Sequence, residues 1–217
     1  MSGNGFNASK LKAVILDYGE VICHRPTSEQ MAELANFYGV DANRFVPLWE
    51  RNRGPYDRGD LTPEAYWTML AGDAGTKLAP GQLEEICQLD VVMWSNVNPN
   101  MVAWIDRLGR SGKKVALLSN MHADMVTHCR ERFDWINHFD FVTFSAEVNL
   151  VKPEPAIFEH TLRGLGVSAP EALFLDDREV NIEAARKLGI NAIRVVSMSQ
   201  LRKDLTTAGF TDLPAES

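Results

Sequence analysis

Three short apolar runs, each ending in a polar side chain, constrain the fold of this chain more than any other feature. "KAVILD" ends in Asp17, "KVALLSN" in Ser119 and Asn120, and "EALFLDD" in Asp176 and Asp177. A short continuous apolar run is typical of a strand buried on both faces of a parallel sheet. A lone buried carboxylate is very costly, so each of these acids must be solvated, paired or put to use. The pattern predicts a site at the strand ends.

Helical patterns separate the predicted strands. "FDFVTFS" at 139–145 and "NAIRVV" at 191–196 indicate two further strands. Pro155 suits a first helical turn, and Gly189 is a good helix stop. Apolar residues at helical spacing lie between the strands: Met101, Ile105 and Leu108; Phe158, Leu162 and Leu165; Ile182, Ala185 and Leu188. Alternating strands and helices predict an α/β fold with a Rossmann-like, three-layer parallel sheet.

One segment, residues 26–97, shows only helical signals. Thr62 followed by Pro63 is a strong helix start, and three of the five tryptophans lie in this segment, which indicates a small core of its own. We therefore expect a helical cap inserted after the first strand. The predicted division is an α/β core of residues 11–25 and 98–217, a helical cap of 26–97, and a flexible N-terminal tail of 1–10.

Composition excludes several classes of function. The chain has 217 residues, 45% of them hydrophobic, and a formal net charge of -7. Without a run of Lys or Arg, neither a nucleic-acid nor an anionic membrane surface is expected. No apolar stretch approaches the roughly 20 residues that span a bilayer, and the N-terminus lacks the apolar region of a signal peptide. The three cysteines are odd in number and far apart. We expect a cytoplasmic monomer or homodimer acting on a small molecule.

Asp17, Asp176 and Asp177 are predicted to meet in one crevice, because ligands bind beyond the carboxyl ends of parallel strands. Clustered carboxylates repel each other unless a cation lies between them, and hard oxygen ligands suggest Mg²⁺. The alternative is that each acid only caps the following helix. A cation beside an attacking carboxylate is useful when the other reactant is an anion, such as a phosphate ester.

Such a site needs donors for the phosphoryl oxygens. The Ser119 hydroxyl, the Asn120 backbone N–H and the Lys152 ammonium can supply them, and Gly19 allows close approach of the backbone. Taken alone, Lys152 would be interpreted as a solvated loop lysine. In the cap, four residues are expected between two helices, where they bind sugar hydroxyls or a second anion, or are simply solvated: Arg51, Arg53, Tyr56 and Arg58.

Four ordered motifs together resemble those of the haloacid dehalogenase-like superfamily. The motifs are "ILDYGEV", "LLSN", Lys152-Pro153 and "FLDDREVNIEAARKLGI", and the resemblance covers nearly the whole chain from Leu11. The helical insert resembles the cap of the first subclass, and "YDRGDLTPEAYW" is similar to a sugar-phosphatase-like branch. The resemblance implies a phosphatase that uses Asp17 as nucleophile and forms an aspartyl-phosphate. Ser119 and Lys152 would hold the phosphoryl group.

The resemblance also implies how Mg²⁺ would be bound. Its ligands would be the Asp17 side chain, the Gly19 carbonyl and Asp177, with Asp176 bound directly or through water. Asn181 would help orient Lys152 or Asp176; the alternative is a plain helix-surface asparagine.

Gly19 departs from the usual pattern of these phosphatases, which carry at this position a second Asp that acts as general acid. Glycine at this position resembles one branch of the superfamily, so the protein need not be inactive. The acid is therefore unassigned, with Glu20 and His24 nearby in the sequence. Two rival functions remain: a 2-haloacid dehalogenase, which needs no metal, and a binding module without turnover.

Overall fold

Five parallel strands form the central sheet of the protein, which a computed structural model describes for residues 6–216. The strands are β1 (Ala13–Leu16), β2 (Lys114–Ser119), β3 (Phe141–Phe144), β4 (Ala172–Asp176) and β5 (Asn191–Arg194). Their order in the sheet is β3-β2-β1-β4-β5. Leu16 at the end of β1 pairs with Leu117 of β2 and with Leu175 of β4. The three strands that carry the apolar runs are therefore neighbours, and they end at the same edge.

Helices cover both faces of this sheet, as the predicted three-layer α/β fold requires. Val14 and Leu16 face one apolar cluster, while Ala13 and Ile15 face the other. The first cluster includes residues of α5 (Pro99–Arg110), α6 (Ala123–Arg132) and α10 (Met198–Thr207). The second includes residues of α8 (Pro155–Leu165) and α9 (Glu179–Lys187). A further short helix, α7 (Ser145–Val148), follows β3. Burial on both faces explains why these strands are uniformly apolar.

Four helices occupy the segment between β1 and α5. They are α1 (Ser28–Asn36), α2 (Ala42–Arg58), α3 (Pro63–Ala74) and α4 (Gln82–Met93). They pack around a third, separate apolar cluster that contains Phe45, Trp67 and Leu70. The Thr62 side chain accepts a hydrogen bond from the Ala65 N–H at 3.2 Å and so caps α3. Within residues 6–216, no helix has both the length and the apolar character to cross a membrane.

The helix α2 corrects one expectation. It continues through Gly54 and Pro55 to Arg58, so the four cap residues singled out above lie on it rather than between helices. Pro55 removes one backbone donor, but Trp49 and Tyr56 on this helix are buried in the cap core, and their packing outweighs the local turn signal. The helix ends at Gly59, whose φ of +89° suits glycine.

The N-terminal segment is a second correction. The tail was expected to be flexible over residues 1–10; residues 1–5 lie outside the described residues. Ala8 is buried, and its N–H donates to the carbonyl of Ala208 at 2.8 Å. Lys113 Nζ donates to the carbonyl of Ala8 at 3.2 Å. Residues 6–10 therefore pack against the core, because their backbone groups find partners there.

Candidate active site

The residues at the ends of β1, β2 and β4 converge on one cavity of ≈ 360 Å³. Asp17 follows β1 directly, Ser119 is the last residue of β2, and Asp177 follows β4. Lys152 reaches the same cavity from the loop between α7 and α8. The cavity also extends to cap residues of α2, so it lies between the sheet edge and the cap helices.

The ammonium group of Lys152 lies between two of the acids. Its Nζ is 2.7 Å from Asp17 Oδ1 and 2.7 Å from Asp176 Oδ2, and its side chain is almost fully buried. Asn120 fixes the lysine backbone, since its side chain accepts from the Lys152 N–H at 2.8 Å and donates to the Lys152 carbonyl at 3.0 Å. Burial disfavours the ammonium, but the two carboxylates more than offset this and raise the pKa of Lys152. Lys152 is a buried cation, not a solvated loop residue.

Asp176 is held on both of its oxygens. Oδ1 accepts from the Arg178 N–H at 2.8 Å and from Asn181 Nδ2 at 2.9 Å. Oδ2 accepts from Lys152 Nζ at 2.7 Å and from Asn181 Nδ2 at 3.0 Å. Asn181 is itself buried. It therefore orients Asp176, which in turn positions the lysine.

The three carboxylates at the strand ends carry more negative charge than the buried ammonium group of Lys152 can balance. One carboxylate oxygen from each of Asp17, Asp176 and Asp177 lies within 4.8 Å of the others. Burial raises the pKa of Asp17 well above its usual value; Lys152 opposes the shift, and the other two acids add to it. Burial, Asp176 and Glu20 together raise the pKa of Asp177 to about 6. A group of hard oxygen donors that is short of positive charge suits Mg²⁺.

Gly19 lies at the cavity wall beside Trp94. A Cβ on this residue would make ordinary van der Waals contact with the indole ring of Trp94, at 3.4 Å. Glu20 lines the cavity but is exposed, and its carboxylate is 3.6 Å from Arg25 Nε. His24 is exposed and is absent from the cavity lining within the described residues. Of the two acids considered from sequence, only Glu20 faces the cavity.

Arg53 brings the cap into the site, but its charge is already balanced. Its Nε is 3.0 Å from Asp57 Oδ1, and its Nη1 is 3.0 Å from Asp90 Oδ2. The guanidinium also lies 5.0 Å from the centre of the Trp49 ring. Arg53 therefore presents little free positive charge to a ligand.

His122, on the loop after β2 of the core, contacts Asp90 of the cap. Its Nε2 lies 3.0 Å from Asp90 Oδ2, which is ion-pair distance, although the two atoms are not aligned for a hydrogen bond. His122 and Asp57 both line the cavity, and the sequence analysis selected neither. The spacing of Arg53 and Asp57, four apart on one helix, was the available signal for Asp57. Nothing local marks His122, because Asp90 is distant in the sequence.

The other three cap residues predicted from the sequence, Arg51, Tyr56 and Arg58, are not among the described residues that line the cavity. Tyr56 is buried between Tyr66, with ring centres 4.2 Å apart, and His122, at 4.7 Å. It is not among the described residues that line the cavity. Arg58 pairs with Glu154, and Arg51 lies 3.3 Å from Asp73. These three residues hold the cap together and dock it on the core.

A protein-family model described as haloacid dehalogenase-like hydrolase matches residues 11–189. Bifunctional epoxide hydrolase 2 of Rattus norvegicus is 35% identical over 77 residues; the match covers 36% of this chain and only 14% of that protein. D-ribitol-5-phosphate phosphatase of Bacteroides thetaiotaomicron is 23% identical, over 90% of this chain and 97% of that protein.

Solved structures share the fold. A HAD family enzyme from Bacteroides thetaiotaomicron, solved with magnesium and inorganic phosphate, matches with a TM-score of 0.68 and 21% identity, over 85% of this chain and 93% of that chain. L-2-haloacid dehalogenase from Xanthobacter autotrophicus matches with a TM-score of 0.66 and 20% identity, over 95% of this chain and 90% of that chain. At such identities the likeness establishes the architecture alone and does not choose between the two activities.

Proposed function

This chain belongs to the haloacid dehalogenase-like hydrolases, and from that premise we propose that it is a magnesium-dependent phosphatase of small phosphate esters, with Asp17 as its nucleophile. The observation that carries the proposal is the meeting of three carboxylates and one buried lysine in a single cavity. A metal-independent dehalogenase would have no use for the carboxylate of Asp177, which forms no ion pair among the described residues and whose pKa is raised to about 6.

The metal would be held by Asp17, Asp177 and the Gly19 carbonyl. Asp176 would reach it through water, since both of its oxygens already accept hydrogen bonds from Lys152, Asn181 and the Arg178 backbone. When bound, Mg²⁺ supplies charge neutralisation between the attacking carboxylate and the phosphoryl oxygens.

Asp17 carries the covalent step. Oδ1 accepts from the Tyr18 N–H and from Lys152, which fixes the carboxylate at the strand end. In the first step, a bond forms between a carboxylate oxygen and phosphorus while the ester P–O bond breaks. Water then attacks phosphorus, which releases inorganic phosphate and restores the carboxylate.

The neighbouring donors stabilise the phosphoryl group during both steps. Among residues 6–216, Ser119 Oγ makes only a long contact, 3.4 Å, to the Asn120 carbonyl, so its hydroxyl can donate to a phosphoryl oxygen. Lys152 balances the developing negative charge from a position that is already fixed. The Asn120 N–H is the third proposed donor.

The leaving group is proposed to be neutral and hydroxylated, as in a sugar or polyol phosphate. Trp49, Trp94 and the neutralised Arg53 line the cap side of the cavity. This wall offers stacking surface and polar atoms, with little free positive charge for a second anion. The related D-ribitol-5-phosphate phosphatase agrees with this proposal.

A single assay separates the candidate functions. Purified protein is given para-nitrophenyl phosphate with Mg²⁺ or with excess chelator, and in parallel 2-haloacids without metal. Turnover that requires Mg²⁺ supports the proposal. Halide release without metal would indicate a dehalogenase, and inactivity in every arm would indicate a binding module. A screen of sugar, polyol and carboxylated phosphate esters then tests the leaving group.

A further inference from the structure

A phosphate ester of an ordinary alcohol needs a proton for its leaving oxygen, because an alkoxide is a poor leaving group. Such a proton comes from a positioned side chain, and this help is typically worth about 10² to 10⁴ in rate. Gly19 has no side chain to carry that proton. If the proposed function holds, another residue of the cavity must carry the proton.

Among the described residues that line the cavity, four carboxyl or imidazole side chains are left without a role in the proposed chemistry: Glu20, Glu50, Asp57 and His122. Burial raises the pKa of a carboxyl and so favours the proton that a general acid must donate, but Glu20 and Glu50 are exposed. His122 faces the Asp90 carboxylate with Nε2 and stacks on Tyr56. Asp57 is the one buried carboxyl of the four.

The carboxyl of Asp57 has one oxygen engaged and one available. Oδ1 accepts from Arg53 Nε at 3.0 Å, whereas Oδ2 accepts no hydrogen bond within residues 6–216. The side chain is 12% exposed, and the residue lines the same cavity as Asp17. One carboxyl oxygen is thus held by the arginine, while the other is free to meet a ligand.

Hydrogen bonds connect the backbone of Asp57 to the loop after β2, which begins with the proposed phosphoryl donor Asn120. Its carbonyl accepts a hydrogen bond from Ser145 Oγ, and that same Oγ accepts from the Met121 N–H at 2.8 Å. Met121 follows Ser119 and Asn120 directly. Two hydrogen bonds through one buried hydroxyl therefore connect Asp57 to the proposed phosphoryl donors, which places the cap acid at the cap–core junction.

The surroundings of Asp57 shift its pKa upward. Burial raises its pKa; Arg53 on the same helix and His122 on the loop after β2 lower it, and Asp90 of α4 raises it. The net shift is upward, in the direction that a general acid requires.

We propose that Asp57 is the general acid of the phosphatase reaction. Its proton passes to the leaving oxygen as the ester P–O bond breaks and the bond between Asp17 and phosphorus forms. The resulting Asp57 carboxylate then takes a proton from the water that attacks the aspartyl-phosphate, which restores both residues. This inference rests on the proposed function and replaces Glu20 and His24 as the candidate acids.

The test is the dependence of kcat/KM on the leaving group. The substrates are phosphate monoesters whose alcohols range from para-nitrophenol to simple alkanols, with Mg²⁺ at saturation. Because kcat/KM reports only the steps up to the first irreversible one, hydrolysis of the intermediate does not enter. Asp57→Asn should lose about 10² to 10⁴ for alkyl phosphates and less than about tenfold for para-nitrophenyl phosphate. The control Asp60→Asn, a nearby carboxylate outside the cavity lining, should behave as wild type.

A structural role for Asp57 would give a different result. An equal loss for every substrate would overturn the proposal, as would a steeper dependence in Glu20→Gln or His122→Gln with none in Asp57→Asn. If Asp57→Asn does not fold, the other proteins decide: a shallow dependence in wild type that Glu20→Gln and His122→Gln both retain supports Asp57, and a steep dependence in wild type overturns the proposal. Failure of the proposed function is distinct, since wild type would then not turn over para-nitrophenyl phosphate at all.

Discussion

Asp17 is the residue on which the proposed chemistry depends most directly. Asp17→Asn keeps the size and polarity of the side chain but removes the charge that attacks phosphorus. It also removes one of three mutually repelling carboxylates, so little stability should be lost. We expect the melting temperature to stay within a few degrees of wild type while turnover of para-nitrophenyl phosphate disappears.

Beryllium fluoride gives this prediction a second readout. It should form a tight adduct with wild-type protein and none with Asp17→Asn. A folded Asp17→Asn protein with near-wild-type turnover would rule out the nucleophile proposed here.

Lys152 offers the opposite case, since its removal leaves Asp17 and Asp176 buried without their shared cation. Lys152→Met should destabilise the metal-free protein by about 3 to 5 kcal/mol and abolish turnover. The double variant with Asp176→Asn should regain part of that stability without regaining activity. Urea unfolding in chelator measures both. Equal stability of the single and double variants would contradict a charge-based cause.

The strand-end residues could be predicted from sequence, whereas of the predicted cap residues only Arg53 lines the cavity. Asp17, Ser119 and Asp176 each end an apolar run, so the parallel sheet alone brings them together. Asp57 is marked only by its spacing of four residues from Arg53 on α2. His122 meets Asp90 only in the tertiary structure, and no local pattern records that contact. Tyr56 illustrates the same limit, because its packing against Tyr66 and His122 removes it from the cavity.

At the scale of elements, α2 joins the cap to the core at its carboxyl end. Arg58 pairs with Glu154 next to the lysine loop, and the Arg58 carbonyl accepts from Asn149 Nδ2 at 3.1 Å. Gly54 and Pro55 favour a helix break, so the sequence did not indicate that α2 extends to this contact. Burial of the following residues keeps the helix intact.

Gly59 tests this docking. A Cβ on Gly59 would lie 3.2 Å from the carbonyl oxygen of Ala146 in α7, at a φ of +89°. Gly39 has a φ of +63° and no atom within 4 Å of such a Cβ, so it is a matched control. Gly39→Ala should cost about 1 kcal/mol in unfolding free energy from backbone strain alone.

Gly59→Ala should cost more, because it adds the contact with the core to the same strain, and it should also lower kcat/KM. Denaturant unfolding and steady-state kinetics of the two variants make the comparison. Equal losses would show that the carboxyl end of α2 does not depend on close contact with α7.

At the scale of the whole molecule, metal binding should be visible as stability. A ligand that binds only the folded state stabilises it by RT ln(1 + [L]/Kd), about 2.7 kcal/mol at a hundredfold excess over Kd. Mg²⁺ should therefore raise the melting temperature of the wild type, and Asp177→Asn should abolish that shift. Asp60→Asn should keep it. A full Mg²⁺ response in Asp177→Asn would remove this residue from the proposed ligands.

The all-parallel sheet also has a consequence for how the chain is made. Ala13 of β1 pairs with Ala172 of β4, so about 160 further residues must be synthesised before the central strand β1 can pair with β4. At ribosomal speeds of 5 to 20 residues per second, this synthesis takes roughly 8 to 32 s. Cap residues 28–93, with their own apolar cluster, can collapse during that interval, whereas β1 keeps an unpaired edge. The period of greatest exposure to aggregation thus falls on the ribosome, before the last two strands emerge.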